Sequence, residues 1–449
     1  MDISKVRKLI ALVKEKVKLM DKQAATITRP KLKVTDFNIS ENASGYGTTM
    51  ENVTMLDPLH IHSIINEIKG SDEFKEIAKE IAQNYPLPKK QQNTVLQTEF
   101  WLENFLYKIG TEELNGRFDE NKEIEMIMNL RNELEEGPLV YTSEIYLDGI
   151  FLEDDKIILD DNIVIRKPTA SDIERQLGNT FDSFSHMHEI PTAVAVVSKK
   201  SKDQKEMRQE QERLLSILRL FRLGSVYPDS SKNSNNSVLW TSGMGTAYFY
   251  KLVIHNKYTV RMSDSKDLVA FYQMIKNIIP LETQVNVDRK FSGVRIALSR
   301  YSNALLEAVE PERRLLTSVI GLEALFTQEG EKSETSYRSA IRLSKLLGLV
   351  GLNPIDVKND IAKCYVIRNK VGHGILLEDK DRQDAAKYED RLQNYLRQSI
   401  ILFLMLLQEK SKGEIIDWID RSMILSSVTT ELEEWINKKI LDLPKIVLR

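Results

Sequence analysis

The sequence predicts a multidomain protein in which a mixed α/β N-terminal and middle region is followed by an all-α helix bundle. Three observations carry that expectation. The chain has 449 residues, more than one typical core accommodates. At Pro138 the helical hydrophobic period gives way to short β-rich runs, and beyond about Val287 the patterns are helical again. These shifts place boundaries at 1–137, mostly helical; 138–286, strand-rich mixed α/β; 287–412, a helix bundle; and 413–449, a C-terminal helical extension.

The first segment carries ten Lys or Arg against three acidic residues through Lys33, with Val6, Ile10, Val13, Val17 and Met20 three or four apart. That spacing predicts an amphipathic basic helix that docks by its apolar stripe and leaves its lysines solvated, in preference to the alternative of a membrane or nucleic-acid surface. Residues 34–57 are polar and without period, which predicts a mobile loop. Helical patterns follow in "SDEFKEIAKEIAQNY" and "NTVLQTEFWLENFLYKI".

From Pro138, "LVYTSEIYLDGIFLEDDKIILDDNIVIRKPT" alternates β-rich runs with Asp-Gly, Asp-Asp and Asp-Asn turn chemistry, the pattern of a strand meander. Thr169 or Ser171 can cap a short helix at "ASDIERQLG". Strands are expected in "IPTAVAVVS" and "TAYFYKLVIHNKYTVRM", separated by the helix "DQKEMRQEQERLLSILRLF". "DSSKNSNNS", 229–237, reads as an exposed polar loop. The helical patterns beyond Val287, joined by short Gly, Pro or charged turns, have the grammar of an antiparallel bundle, closed by a helix pair around Trp418 and Trp435.

Composition narrows the functional classes. Lys and Arg total 63 against 66 Asp and Glu, for a net charge of −3, so nucleic acid would be held by a local patch rather than a global field. The single cysteine, Cys364, excludes an intrachain disulfide and a CxxC zinc site, and fits a reducing cytosol. No signal-peptide core or membrane-length apolar run is apparent, so a soluble cytoplasmic protein without membrane contact is expected. The glycine pairs at Gly45–Gly47 and Gly243–Gly245 lack the Lys-Ser/Thr of a P-loop. His60 with His62 and His186 with His188 would share a face on a strand but lack a third ligand at fixed spacing, so no metal or other cofactor is expected.

One motif remains. "VIRNKVGHGI", 366–375, places Arg368 five positions ahead of His373. Such spacing arises on the order of once by chance in a chain of this composition, so context decides its weight. Ile361, Cys364, Tyr365 and Arg368 fall at helical spacing, which points the guanidinium toward the bundle. Gly372 and Gly374 are expected to stop the helix, put His373 on a turn and fold it back near Arg368, since a continuing helix would hold the two about 140° apart. In "LLTSVIGLEALF" the stripe of Leu316, Val319, Ile320 and Phe326 passes through Glu323, a carboxylate that needs a basic partner inside the bundle. Arg368 is the candidate, with Arg338 and Arg342 as rivals.

From about Val294 to Leu407, through "IALSRYSNALLEAVEPERRLLTSVIGLEALF", "YRSAIRLSKLLG" and "VIRNKVGHG", the sequence resembles the HEPN superfamily, and within it the Apea-like HEPN group. The resemblance implies that 287–412 is a HEPN bundle that forms a homodimer or a higher even oligomer, bringing two R-x4-6-H motifs into one cleft with metal-independent endoribonuclease activity on transfer or messenger RNA. Asn369 supplies the polar residue common after the motif arginine. It further implies an antiviral, abortive-infection role, with a sensor or regulatory part in 138–286 and a phage-derived trigger or regulatory partner. The chemistry suits the residue types. RNA is cut by its own 2′-hydroxyl when one group takes that proton and another protonates the leaving 5′-oxygen, leaving a 2′,3′-cyclic phosphate and a 5′-hydroxyl. Histidine, with an unperturbed pKa of ~6.5, serves either role. Arg368 would bind the phosphate and stabilise its growing charge, Asn369 would orient phosphate or His373, and Lys370 would add positive charge for the RNA backbone. The alternative reading is a noncatalytic dimerisation or RNA-binding scaffold, with Arg368 neutralising Glu323, Lys370 a helix-end charge and His373 a turn residue.

Overall fold

Apolar residues three and four apart bury the first helix as their spacing predicts. The computed structural model of the chain describes residues 2–20, 26–41, 44–84, 94–135, 137–178, 190–202, 204–239, 246–248, 256–284, 288–307, 310–328, 330–331 and 334–448. Helix α1 (Ile3–Leu19), capped by the Asp2 carboxylate on the Ser4 amide, buries Val6, Ile10, Val13 and Val17. They pack with α2 (Pro58–Lys69), α3 (Asp72–Asn84), α4 (Thr94–Leu114) and α5 (Glu120–Leu134) around Phe74, Ile77, Leu102, Phe105 and Leu130. Its lysines turn outward, Lys5 to Glu76 at 2.9 Å and Lys16 to Glu67 at 2.5 Å.

Between α1 and α2 the expected loop is instead a long antiparallel hairpin, β1 (Thr26–Ile39) with β2 (Ser44–Leu56). Apolar alternation is missing because most of both faces is exposed to water, so β-branched content rather than period marks the strands. The hairpin is held to the rest of the chain by the Glu174 carboxylate, which accepts the Val34 amide at 3.0 Å, and by Thr259 donating to Glu41 at 2.5 Å.

The meander forms β3 (Leu139–Asp148), β4 (Ile150–Leu152), β5 (Lys156–Asp160) and β6 (Ile163–Arg166). Gly149 turns β3 into β4 at φ +86°, where a Cβ would lie 2.5 Å from the Ser225 carbonyl oxygen. Of the two possible caps for α6 (Ala170–Gly178), Thr169 is used: its amide and hydroxyl donate to Asp172 at 2.8 and 2.7 Å. After β7 (Ala193–Ser201) and α7 (Gln204–Phe221) comes β8 (Tyr227–Asn235), where a polar loop was expected. Ser230 and Ser231 are buried in it because side-chain hydrogen bonds replace apolar contact; Gln176 donates to Ser230, and Asn233 to Ser231 at 3.3 Å. With β9 (Thr246–Tyr248), these strands make a six-stranded antiparallel sheet ordered β5-β6-β7-β3-β8-β9. β10 (Tyr258–Val260) pairs parallel to β4, and α8 (Ser265–Ile275) packs with α7 beside the sheet.

The expected helices follow as α9 (Ser292–Leu306), α10 (Pro311–Phe326), α11 (Thr335–Leu349), α12 (Pro354–Gly372) and α13 (Asp379–Leu406). α14 (Lys412–Ser422) and α15 (Ser426–Lys439) stack Trp418 on Trp435 with centroids 5.0 Å apart. One apolar cluster runs from Ile145 in the sheet to Val447, joining the two regions. Polar groups reinforce the seam at the end of α7, whose last carbonyls have no acceptor role inside the helix. Tyr258 donates to Leu218 O at 2.8 Å and Tyr301 to Arg219 O at 2.9 Å. Arg397, buried in α13, donates to Leu220 O at 2.8 Å, Phe221 O at 3.3 Å and Val447 O at 2.7 Å. A cation at a helix C-terminus also meets the negative end of its dipole.

Candidate functional site

α12 is started by Asn353, whose side chain accepts the Ile355 amide at 3.0 Å, with Pro354 in the first turn. Val357, Ile361, Cys364 and Tyr365 bury one face, and Arg368 continues it as predicted. At the far end the helix runs through Gly372, one residue beyond the expected stop. His373 is the C-cap, with φ −94° and ψ 5°, and its amide donates to Asn369 O at 3.0 Å. The left-handed residue is Gly374, at φ +68°. Its amide reaches Val371 O at 3.1 Å while the Ile375 amide reaches Lys370 O at 2.8 Å, the paired closure of a Schellman motif. His373 therefore stays in helical register, about 140° around the axis from Arg368, and is not folded back toward it.

Glu323 sits half-buried on α10, at the margin of a stripe formed by Leu315, Val319, Leu322 and Phe326. Its Oε2 lies 3.2 Å from Arg368 Nη2. Both rivals are occupied elsewhere: Arg338 meets Glu331 at 3.4 Å, and Arg342 meets Glu331 at 2.6 Å and Asp420 at 2.7 Å. Arg368 Nη1 donates to Asn369 Oδ1 at 3.2 Å, and its Nε is buried with no hydrogen-bond partner among the described residues. Lys370 donates to both oxygens of Asp381 at 2.8 Å, so its charge is neutralised within the chain. Nothing in the residue pattern marks that carboxylate beyond its place near the start of α13.

Two further residues escaped the sequence reading. Tyr365, one turn before Arg368, is buried with its hydroxyl beside the Arg368–Glu323 pair; burial, then the Glu323 charge, pushes the phenol above its ordinary value. Ser339 of α11 is buried alongside, and among the described residues neither hydroxyl has a hydrogen-bond partner within ordinary geometry. Tyr365 could have been found at i−3 from Arg368; Ser339 had no comparable mark.

The outer face of α12 is unusual. Ile355, Asn359, Ala362, Val366, Asn369 and His373 alternate by four and three, and all are exposed. That is one continuous solvent-facing seam at coiled-coil spacing, apolar at Ile355, Ala362 and Val366 and polar where it reaches the motif. Ile375 and Leu376, at 55% and 86% exposure, extend apolar surface past His373. Arg368, Asn369 and His373 thus belong to one helix end, with the arginine anchored inward and the other two facing solvent.

His60 and His62 lie on α2 rather than a strand, which turns them to different faces, and His62 stacks on Tyr107 at 4.6 Å. His186, His188 and Gly243–Gly245 lie outside the described residues. Gly45 and Gly47 are strand residues of β2. Among the described residues no three His, Cys, Asp or Glu side chains converge to hold a metal ion, and no helix is long and apolar enough to cross a membrane. Compared with known proteins, the chain matches no family model, no curated protein and no solved structure.

Proposed function

We propose that the chain is a metal-independent endoribonuclease of the HEPN kind, active as a dimer through the outer seam of α12. The observation that carries this reading is the exposed seam running from Ile355 to His373, beside an arginine that a neighbouring helix fixes in place. Large exposed apolar side chains at regular helical spacing favour a partner helix. A second copy of α12 crossing this seam supplies what one chain lacks, since His373 and Arg368 of the same copy stand apart around the helix. Arg368 holds the scissile phosphate and Asn369 orients it. One His373 takes the 2′-hydroxyl proton while the second protonates the leaving 5′-oxygen, giving cyclic phosphate and 5′-hydroxyl ends. The larger role is an antiviral effector, with the region before residue 287 restraining or triggering the site.

The test is incubation of the full chain with mixed transfer and messenger RNA in EDTA, beside His373→Ala, Arg368→Ala and Val366→Asp. Cleavage by the wild type alone, leaving cyclic phosphate ends, is expected, with Val366→Asp folded but inactive and unable to associate through α12. Uncut RNA with the wild type confirmed dimeric would overturn the nuclease reading. A second reading, a noncatalytic HEPN dimerisation or RNA-binding scaffold, has specific support: Glu323 already neutralises Arg368, and Asp381 already neutralises Lys370. RNA bound by that uncut dimer would favour it.

A further inference from the structure

Among the described residues three edge strands are five residues or longer, β1, β2 and β5, and two of the three are guarded. β9, at one end of the six-stranded sheet, has three described residues, as do β4 and β10, which pair with each other. β5, at the other end, is short, carries Lys156 and a bulge between Ile158 and Asp160, and has its Leu159 carbonyl occupied by Gln273 at 2.6 Å. β1 carries Pro30, Lys31 and Lys33, and α6 packs against it. Short length, lysine, proline, bulges and covering elements are the devices that keep an edge from pairing with another chain.

β2 has none of them. It is 13 residues long, Ser44–Leu56, with no Lys, Arg or Pro. Its one charged residue, Glu51, is neutralised by Lys33 at 2.7 Å. Among the described residues it pairs with β1 alone, and from Ser44 to Thr54 only Gly47 and Val53 are even half-buried. Tyr46 and Met50 are large side chains left at 45% and 58% exposure. A two-stranded ribbon is marginal in water, whereas three or more strands with covered side chains are stable.

We propose that the free edge of β2 pairs with the same edge of a second copy, antiparallel about a twofold axis near Met50, making a four-stranded sheet. The second copy is the occupant because the strand is self-complementary. Pairing about Met50 sets Met50 against its own copy, Tyr46 against Thr54, Thr48 against Asn52 and Glu51 against Thr49, so no like charges oppose. A twofold contact of this kind closes on itself. It uses none of the residues of the α12 seam and stands apart from the nuclease reading.

The single native thiol makes the test direct, because Cys364 is buried and its pKa is pushed up to about 12 by that burial. Met50→Cys and, as control, Met128→Cys on the exposed face of α5 are oxidised at equal micromolar concentration, each in the Val366→Asp background so that the α12 seam contributes nothing. Covalent dimer at Met50→Cys on the order of tenfold above the control is expected, since paired strands hold the two thiols at high effective concentration. Equal cross-linking of the two would overturn the proposal. In the same background, Met50→Lys and Met50→Glu are each expected to be monomeric by light scattering while their equimolar mixture dimerises. A mixture no larger than either variant alone would also overturn it.

Discussion

Arg342 and Arg368 lie on consecutive helices and each faces a glutamate, yet the two ends of the bundle treat them differently. At the Arg342 end every guanidinium N–H has an acceptor: Asp420 takes Nε and Nη2 at 2.8 and 2.7 Å, Glu331 takes Nη1 and Nη2 at 2.9 and 2.6 Å, and Phe326 O takes Nη1 at 2.8 Å. The side chain is 3% exposed. At the Arg368 end the side chain is 31% exposed, one carboxylate oxygen and one amide oxygen are engaged, and Nε is unpartnered. A guanidinium whose donors are all spent stabilises the fold and has nothing to offer a ligand. One held through Nη1 and Nη2 by a single contact each is positioned and still has donors to give.

The largest expected effect should fall on the saturated end. Arg342→Met removes the buried cation shared by Glu331 and Asp420, leaving Glu331 only the more exposed Arg338 at 3.4 Å, and a loss of about 3–5 kcal/mol in unfolding free energy is expected by denaturant titration. Next comes the other end in its own readout. Arg368→Ala is expected to cost no more than about 1 kcal/mol of stability, the scale of a part-exposed pair, while RNA cleavage falls on the order of 10²–10³-fold. Equal stability losses for the two variants would erase the distinction.

Acid titration sharpens the comparison further. Hydrogen bonding to Arg342 holds the Glu331 carboxyl down to about 2, below its ordinary 4.5. A lowered carboxyl pKa contributes stability that is present above pH 4.5 and lost as the pH falls toward 2. Unfolding free energy of the wild type should decline over that window, and Arg342→Met should show a shallower decline. The smallest effect is reserved for Lys370→Ala. With Asp381 already neutralising it, its removal should change cleavage by less than about threefold and leave the salt dependence of RNA binding nearly unaltered. A large drop there would mean that RNA displaces Asp381.

Much of the helical region was legible because each helix buries a stripe, and burial is what periodicity records. The pairing of Glu323 with Arg368 was legible for the same reason, as two charges approaching apolar faces. The hairpin of β1 and β2 was not, since a ribbon wet on both faces has no apolar alternation. β8 was hidden by the opposite circumstance: Ser230 and Ser231 are interior residues, but hydrogen bonds cover them where hydrophobicity would have announced them. The end of α12 was misplaced by one residue because Gly372 can continue a helix, whereas Gly374 at positive φ closes it. Arg397 had no legible distant partner, for beyond Asn394 on its own helix its named acceptors are the backbone carbonyls of Leu220, Phe221 and Val447.

That capped end of α7 has a consequence for how the molecule breathes. Three side chains from β10, α9 and α13 hold its final carbonyls, so the last turn of α7 cannot fray without stripping polar groups from both the sheet region and the helical region. Its amides should therefore exchange with solvent only through the slowest, most global opening, although helix ends ordinarily exchange first. Slow labelling there would mark α7 as the shaft on which a disturbance at the sheet is transmitted to α13, turning as one piece with both.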